Sequence, residues 1–327
     1  MKILEVGEGR SFAIREVSIP EPGPGEILLK IEAVTTCPQW DLHLRHNSPM
    51  FPGHQFHYPY TPGQPGHEAT GTVAAIGRGV TDLAVGQRVS TWRDPGHKRP
   101  GCYAQFIVHK AENVIPVPPN LPAEATAPVE LAMCVGASFL MQKTMGVLEN
   151  RRFAVVGLGP AGLIAAQMAR AEGASEVIGF DLSEKRRRTG ILLGLDAAFD
   201  PGAYPDAAKF DTAIDCVGAK TSVEWLMDRT EDVVALFGVQ RESYNFAPRH
   251  YRLRLCGYPG HSRAAAEYAV RLIMEGKLDL RPLVTHHLPL ESYAEAIDLL
   301  ERQDAIKVCL WPWKSEEACR ALSGGGS

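Results

Sequence analysis

What this sequence lacks narrows its function first. It has no basic excess: 34 Lys and Arg stand against 38 Asp and Glu, a formal net charge of -4, whereas a phosphate backbone is bound by concentrated positive charge. No apolar run approaches about 20 residues, the length that spans a bilayer. The opening "MKILEVGEGRSFAIREV" alternates apolar and polar residues, as a first strand does, and has no apolar signal-peptide core. These absences argue against nucleic-acid and membrane partners and point to the cytoplasm. Seven cysteines, an odd number scattered from Cys37 to Cys319, lack the spacing of a disulfide framework, so reduced thiols are expected. There is no internal repeat. The closing "SGGGS" reads as a flexible linker or tag remnant.

What is present is enough for two domains: 327 residues, 45% of them hydrophobic. Residues 1–122 carry short β-like runs such as "EILLKIEAV" and "ATGTVAAIG", broken by turns rich in Gly and Pro. Beyond "VIPVPPNLP" a long apolar helical stretch opens an α/β pattern of alternating strands and helices over 123–280. Residues 281–327 hold a strand, a helix and a second strand in "LVTHHLPLESYAEAIDLLERQDAIKVCLW", which could rejoin the first unit.

"AVVGLGPAG" is an apolar strand running into Gly157, Gly159, Pro160, Ala161 and Gly162, followed by the helical pattern "LIAAQMARAEG". The strand before and the helix after make this GxGxxG a specific dinucleotide signal. Gly157 permits the tight turn, Gly159 lets backbone approach a pyrophosphate, Gly162 lets helix and strand pack closely, and the helix N-terminus faces the phosphates. A second strand, "EVIGFD", ends at Asp181, where a carboxylate can accept hydrogen bonds from ribose hydroxyls. That favours NAD over NADP. The run Lys185 to Arg188, with Arg186 within it, could instead neutralise a ribose phosphate or simply form a solvated helix face. A later strand, "DTAIDCVG", ends at Asp215, Val217 and Gly218 and could pass beneath the nicotinamide half.

Metal-binding candidates lie elsewhere. "TPGQPGHEATGTV" sets His67 beside Glu68, "TTCPQWDLH" offers Cys37, and "PVELAMC" offers Glu130. Imidazole, carboxylate and thiolate all suit zinc. Each residue alone has an ordinary explanation as a buried thiol, a surface His-Glu pair or a helix-capping acid.

Taken in order, "EPGPGEILLKIEAV", "GHEATGTV", "VGQRV", "CYAQFIV", "GLGPAG", "LIMEGKLDLRPLVTHHLPLESYAEAIDLL" and "IKV" resemble the zinc-containing medium-chain alcohol and polyol dehydrogenases over nearly the whole chain. The resemblance implies an α/β protein: a GroES-like β-rich catalytic domain from 1–122 and 281–327, and a Rossmann doubly wound parallel-sheet domain over 123–280. It implies zinc-dependent hydride transfer, in the cleft, between NAD(H) and a secondary alcohol or its ketone, the alcohol being a polyol, sugar or amino alcohol. Cys37, His67 and Glu68 then take the first metal positions, and Glu130 matches the acid of polyol-type members. A closed four-ligand zinc is structural, so Glu68 or Glu130 is expected to yield. Many relatives carry a four-cysteine lobe for a second zinc, but here "STWRDPGHKRPGCYAQF" has one cysteine, so at most one zinc is expected.

The proton relay departs from the family pattern. Gln39 stands where relatives place Ser or Thr, and Asp41 and His43 come one residue late. A loop bulge is expected to return Cys37, Asp41 and His43 to their family places, with Asp41 orienting His67 and His43 ending a proton path. The segment "HNSPMFPGHQFHYPYTPGQPG" reads equally as a lid or as a rigid Pro-rich excursion. Trp40, Trp92 and Arg93 are weaker candidates for a substrate wall. "EDVVALFGVQ" resembles the late Rossmann strand whose edge pairs across a dimer, implying a homodimer or homotetramer. Two alternatives remain open: a zinc-free NADPH-dependent reductase of a quinone or activated alkene, and a non-catalytic dinucleotide sensor.

Overall fold

In the computed structural model, residues 1–8, 11–51, 53–205 and 207–323 are described; most of the "SGGGS" tail lies outside them. The chain divides into two compact units, Met1–Leu131 with Leu280–Ser327, and Ala132–Asp279. The division thus falls after Leu131 rather than after residue 122, within a helix.

The first unit opens with strands β1 (Lys2–Val6) and β2 (Phe12–Glu16), an antiparallel pair. Its main sheet uses β3 (Glu26–Thr35), β4 (Glu68–Ile76), β5 (Arg88–Thr91), β6 (Phe106–Lys110) and β7 (Val114–Pro116), with helix α1 (Pro38–His46) following β3. β3 organises it. One edge of β3 pairs with β4 along its length, while the other is shared by β6, from Glu26 to Lys30, and by a strand from the far end of the chain, at Val34 and Thr35. Buried Ile27, Leu29, Ile31 and Val34 of β3 meet Ala69, Val73 and Val89 in one core. The alternation in "EILLKIEAV" is this burial.

Helix α2 (Val129–Thr144) carries the chain into the second unit. The stretch Ala123–Thr144 is long and apolar enough to cross a membrane by length and composition alone, contrary to the expectation that no run approached that length; 72% of its most apolar window is buried in the protein, as for a core helix. The second unit then alternates β8 (Arg152–Val156), α3 (Pro160–Ala171), β9 (Glu176–Phe180), α4 (Glu184–Leu192), β10 (Ala197–Phe199), β11 (Phe210–Asp215), α5 (Lys220–Arg229), β12 (Thr230–Leu236), β13 (Arg254–Gly257) and α6 (Arg263–Met274). Its sheet order, β10-β9-β8-β11-β12-β13, is parallel throughout. That is the doubly wound 3-2-1-4-5-6 order, which switches direction between β8 and β11. Strand β12 lies inside the sheet. The expectation that "EDVVALFGVQ" forms its edge is therefore corrected: β13 pairs on its far side and takes that place.

The chain returns to the first unit as β14 (Val284–Pro289), α7 (Tyr293–Glu301), β15 (Lys307–Trp311) and α8 (Glu316–Ser323). β15 is parallel to β14 and antiparallel to β3 at Cys309↔Thr35 and Leu310↔Val34, so the two ends of the chain share one sheet. The segment between α1 and β4 is pinned to this unit: Met50, Phe56 and Tyr60 are buried in its core, and the Tyr60 and Gly63 amides donate to the Val6 and Leu4 carbonyls. Such anchoring favours a packed excursion over a lid.

His109 of β6 is buried, donates from Nε2 to the Arg93 carbonyl at 3.1 Å, and is held down by burial to a pKa of about 4. Its folded pKa lies below the ordinary value near 6.5, so its stabilising neutral form is complete above pH 6.5 and is lost as pH falls towards 4. The whole shift corresponds to about 3 kcal/mol. Urea unfolding at pH 7, 5.5 and 4 should show His109→Gln losing less stability with acid than the wild type. Parallel pH slopes would remove His109 as the cause.

Candidate active site

Three donors converge in the first unit. A ligand atom each from Cys37, His67 and Glu68 lies within 4.8 Å of the other two. Glu130, near the start of α2, places Oε2 3.7 Å from His67 Nε2. Both side chains are over nine-tenths buried. Local structure explains each position. Cys37 is the residue before α1, with Pro38 opening the helix, and Pro is favoured at that first helical position. His67 directly precedes β4, and its Nδ1 donates to the Pro65 carbonyl at 2.7 Å, which leaves the Nε2 lone pair for a metal.

The electrostatics suit a cation. Burial pulls the His67 pKa down, but Glu130 and Cys37 outweigh it and hold the imidazole well above its ordinary range. Two ligand atoms on one tetrahedral zinc are separated by roughly 3.4 Å for bonds of about 2.1 Å, close to the His67–Glu130 distance. Cys37, His67 and Glu68, whose donor atoms lie within 4.8 Å of one another, are of the types that zinc takes, and Glu130 adds a carboxylate beside His67.

Glu68 is differently committed. Its Oε1 and Oε2 lie 2.6 and 2.7 Å from Lys307 Nζ, and neither side chain has any solvent exposure. Lys307 Nζ also donates to the Thr36 carbonyl at 2.8 Å, and Thr35 Oγ1 donates to Glu68 at 3.2 Å. Burial pushes the Glu68 carboxyl up and the Lys307 ammonium pulls it back. Sequence reasoning missed Lys307, which lies 239 residues from its partner. The only signal was its place in "IKV".

The segment after Cys37 needs correction. It forms a helix, not a bulged loop, and Asp41 does not orient His67, whose Nδ1 is taken by Pro65. The buried Asp41 carboxylate instead accepts hydrogen bonds from the Cys37 amide (2.8 Å), Tyr103 (2.8 Å) and Tyr293 (2.6 Å). Burial raises its pKa, and those bonds oppose the rise. Gln39 and His43, one helical turn apart, meet at 3.2 Å between Gln39 Nε2 and His43 Nε2, while His43 Nδ1 lies 3.0 Å from the Ser48 carbonyl. Trp40 stands against His97 and His54, and Trp92 is buried with its indole donating to the Glu112 carbonyl.

In the second unit the glycine turn is built as a phosphate cradle. Gly157 has φ +87°, a left-handed conformation suited to glycine. A Cβ on Gly162 would fall 1.8 Å from the Gly157 carbonyl oxygen, so the helix sits hard against the turn. A Cβ on Gly159 would meet no protein atom beyond its chain neighbours within 4 Å, so protein packing does not itself demand glycine there. Pro160 and Ala161 open α3 there. Asp181, just past β9, accepts from the Leu158 and Ser183 amides at 2.8 Å each, with Arg186 at 3.8 Å. Val217 is exposed beside Gly157. Asp215 is corrected as a ligand candidate: it is fully buried and bonded by the Gly218 amide (2.8 Å), Ser222 (2.7 Å) and Gln240 (3.3 Å), so it holds the turn.

Removing Lys307 should expose how far the fold relies on its pair. Lys307→Met leaves Glu68 buried without its countercharge and should cost about 3–5 kcal/mol. Adding Glu68→Gln should recover most of that in urea titrations. A single-variant cost below about 1 kcal/mol, typical of a surface pair, would contradict this assignment.

Comparison with known proteins accords with this geometry. Residues 23–119 match the family described as alcohol dehydrogenase GroES-like domain, and residues 160–249 match zinc-binding dehydrogenase. The chain is similar to L-threonine 3-dehydrogenase of Rhizobium rhizogenes, 24% identical over 91% of this chain and 94% of that one. It is also similar to sorbitol dehydrogenase of Gallus gallus, 27% identical over 89% and 91%. The crystal structure of galactitol-1-phosphate dehydrogenase from Escherichia coli superposes with a TM-score of 0.82 at 25% identity, covering 95% of this chain and all of that one. With a GroES-like unit, a doubly wound dinucleotide unit and this order of motifs, the chain belongs to the zinc-containing medium-chain alcohol and polyol dehydrogenase family.

Proposed function

We propose that this enzyme oxidises a secondary alcohol, of the polyol, sugar or amino-alcohol class, to its ketone with NAD, and reverses the reaction with NADH. We assign one zinc to Cys37, His67 and Glu130, with Glu68 standing off on Lys307. The observation that carries the reading is the division of labour between the carboxylates: Glu130 faces His67 Nε2 at 3.7 Å, while both Glu68 oxygens are engaged by a buried ammonium. Such a set keeps a fourth position open, as catalysis requires. Cys102, the one cysteine of the interval where relatives build a second zinc lobe, is fully buried with its thiol pKa pushed up by burial; this supports one zinc per chain.

Zinc supplies a Lewis acid for the substrate oxygen, and the nicotinamide supplies the hydride acceptor. The chain's own residues do the rest. Pro65 fixes the His67 tautomer, and Lys307 withholds Glu68. With Nδ1 donating to the Ser48 carbonyl, His43 Nε2 accepts from the Gln39 amide.

For the cofactor, Asp181 supports NAD through its carboxylate and Arg186 is the feature that favours NADP. Asp181→Ser should weaken NAD binding by roughly 10-fold or more and narrow the NAD/NADP ratio; Arg186→Ala should widen it. An unchanged ratio in both would point to other determinants. A reducing cytoplasmic setting is supported by seven cysteines with no disulfide among them. The outer strand β13 offers an edge for assembly as a homodimer or homotetramer.

Metal analysis and chelation test the central reading. One equivalent of zinc per chain is expected, with turnover lost on chelation and regained on adding zinc. Glu130→Ala and Cys37→Ser should lose the metal while retaining dinucleotide binding. Full turnover in metal-free enzyme with NADPH and a quinone would select the zinc-free reductase instead.

A further inference from the structure

We infer that Asp41, Tyr103 and Tyr293 form a positioning bracket that sets the Cys37 and His67 donors at metal-binding separation before an ion arrives. This inference rests on the zinc assignment above and names residues outside the assigned ligand set.

The bracket starts at the N-terminus of α1. The Asp41 amide donates to the Cys37 carbonyl at 2.9 Å, and the Asp41 carboxylate accepts from the Cys37 amide at 2.8 Å. The residue is thus held at both its backbone polar groups by one side chain and one helical turn, a reciprocal closure like a capping box. Cys37 has no side-chain capping bond of its own, so its thiol is spared for other use.

What holds Asp41 comes from two distant segments. Tyr103, before β6, donates to Oδ2, and Tyr293, the first residue of α7, donates to Oδ1. Both tyrosines are at most 1% exposed, and their rings lie 5.0 Å apart. A buried carboxylate without donors would be costly; with three it is fixed in direction as well as satisfied.

Tyr103 also grips the second donor. Its amide donates to the Gly63 carbonyl at 3.0 Å, and the neighbouring Cys102 amide donates to the Gly66 carbonyl at 2.7 Å. Gly66 immediately precedes His67, and a Cβ there would lie 2.6 Å from the Tyr103 amide nitrogen and 2.8 Å from its ring. The Tyr103 segment therefore presses against the turn carrying His67 while its hydroxyl steadies the turn carrying Cys37. The bracket spans the two ligands.

The test uses the full chain with Tyr103→Phe, Tyr293→Phe and Asp41→Asn. Zinc affinity is measured by competition with a chromophoric chelator, and cobalt-substituted protein is read by its ligand-field and thiolate charge-transfer bands. Each Tyr→Phe variant should bind zinc about 10- to 100-fold more weakly, the range for groups that orient metal ligands, with shifted cobalt bands. Asp41→Asn, which sets an amide donor against two hydroxyl donors, should do more. If it fails to fold, the two phenylalanine variants still decide the matter. Wild-type zinc affinity and cobalt spectra in both, whatever the fall in metal-free unfolding midpoint, would overturn the bracket and leave the zinc site standing. A wild-type chain that binds neither metal would overturn the zinc assignment itself.

Discussion

The buried pair of Lys307 and Glu68 is the constraint on which the catalytic unit depends. It joins the start of β15 to the start of β4 with β3 between them, so an electrostatic demand enforces the same closure as the backbone ladder. Two charges without solvent are stable only together. That condition commits Glu68 to Lys307, while Glu130 lies beside His67. Sheet topology and the engagement of Glu68 thus meet in one contact.

The second unit obeys a more local logic. Its glycine turn, first helix and acid after the second strand lie within one strand–helix–strand stretch, and parallel strands buried on both faces place them at the sheet's switch point. Aromatic packing supports this from beneath: Phe180, at the end of β9, contacts Tyr204, Phe210 and Trp225. Asp181 follows directly after that anchor. Arg186, on α4, is partly buried and lies 3.8 Å from Asp181.

How much was legible in the sequence follows from distance along the chain. The alternating strands, the GxGxxG turn and the pairing of Cys37 with "GHE" could be read because their signals are short-ranged or repeat a known order. The partners of Asp41 could not. Its family place implied His67, yet the residue lies inside α1, where helix geometry turns its carboxylate back to Cys37 and towards two tyrosines from other segments. Lys307 carried no signal beyond its place in "IKV", and its pairing with Glu68 depends on β3 lying between their strands. The apolar Ala123–Thr144 stretch shows the same limit, since hydropathy does not reveal whether protein or lipid covers a helix. The edge of the parallel sheet was misjudged because "RLRLCG" is a short and weak strand pattern next to "EDVVALFG".

The return of the chain's last segment to the first sheet carries a consequence for biosynthesis. Cys37, His67, Glu68 and Glu130 all leave the ribosome in the first 130 residues, but Tyr293 and Lys307 follow much later. Domains generally fold as units while synthesis proceeds from the N-terminus, yet this one stays incomplete until the intervening dinucleotide unit has been made. During that interval Glu68 has no ammonium and Asp41 lacks one of its phenols. On the proposed zinc assignment, the nascent chain would hold Cys37, His67 and Glu130 well before Tyr293 and Lys307, and a metal arriving early would meet two uncommitted carboxylates instead of one.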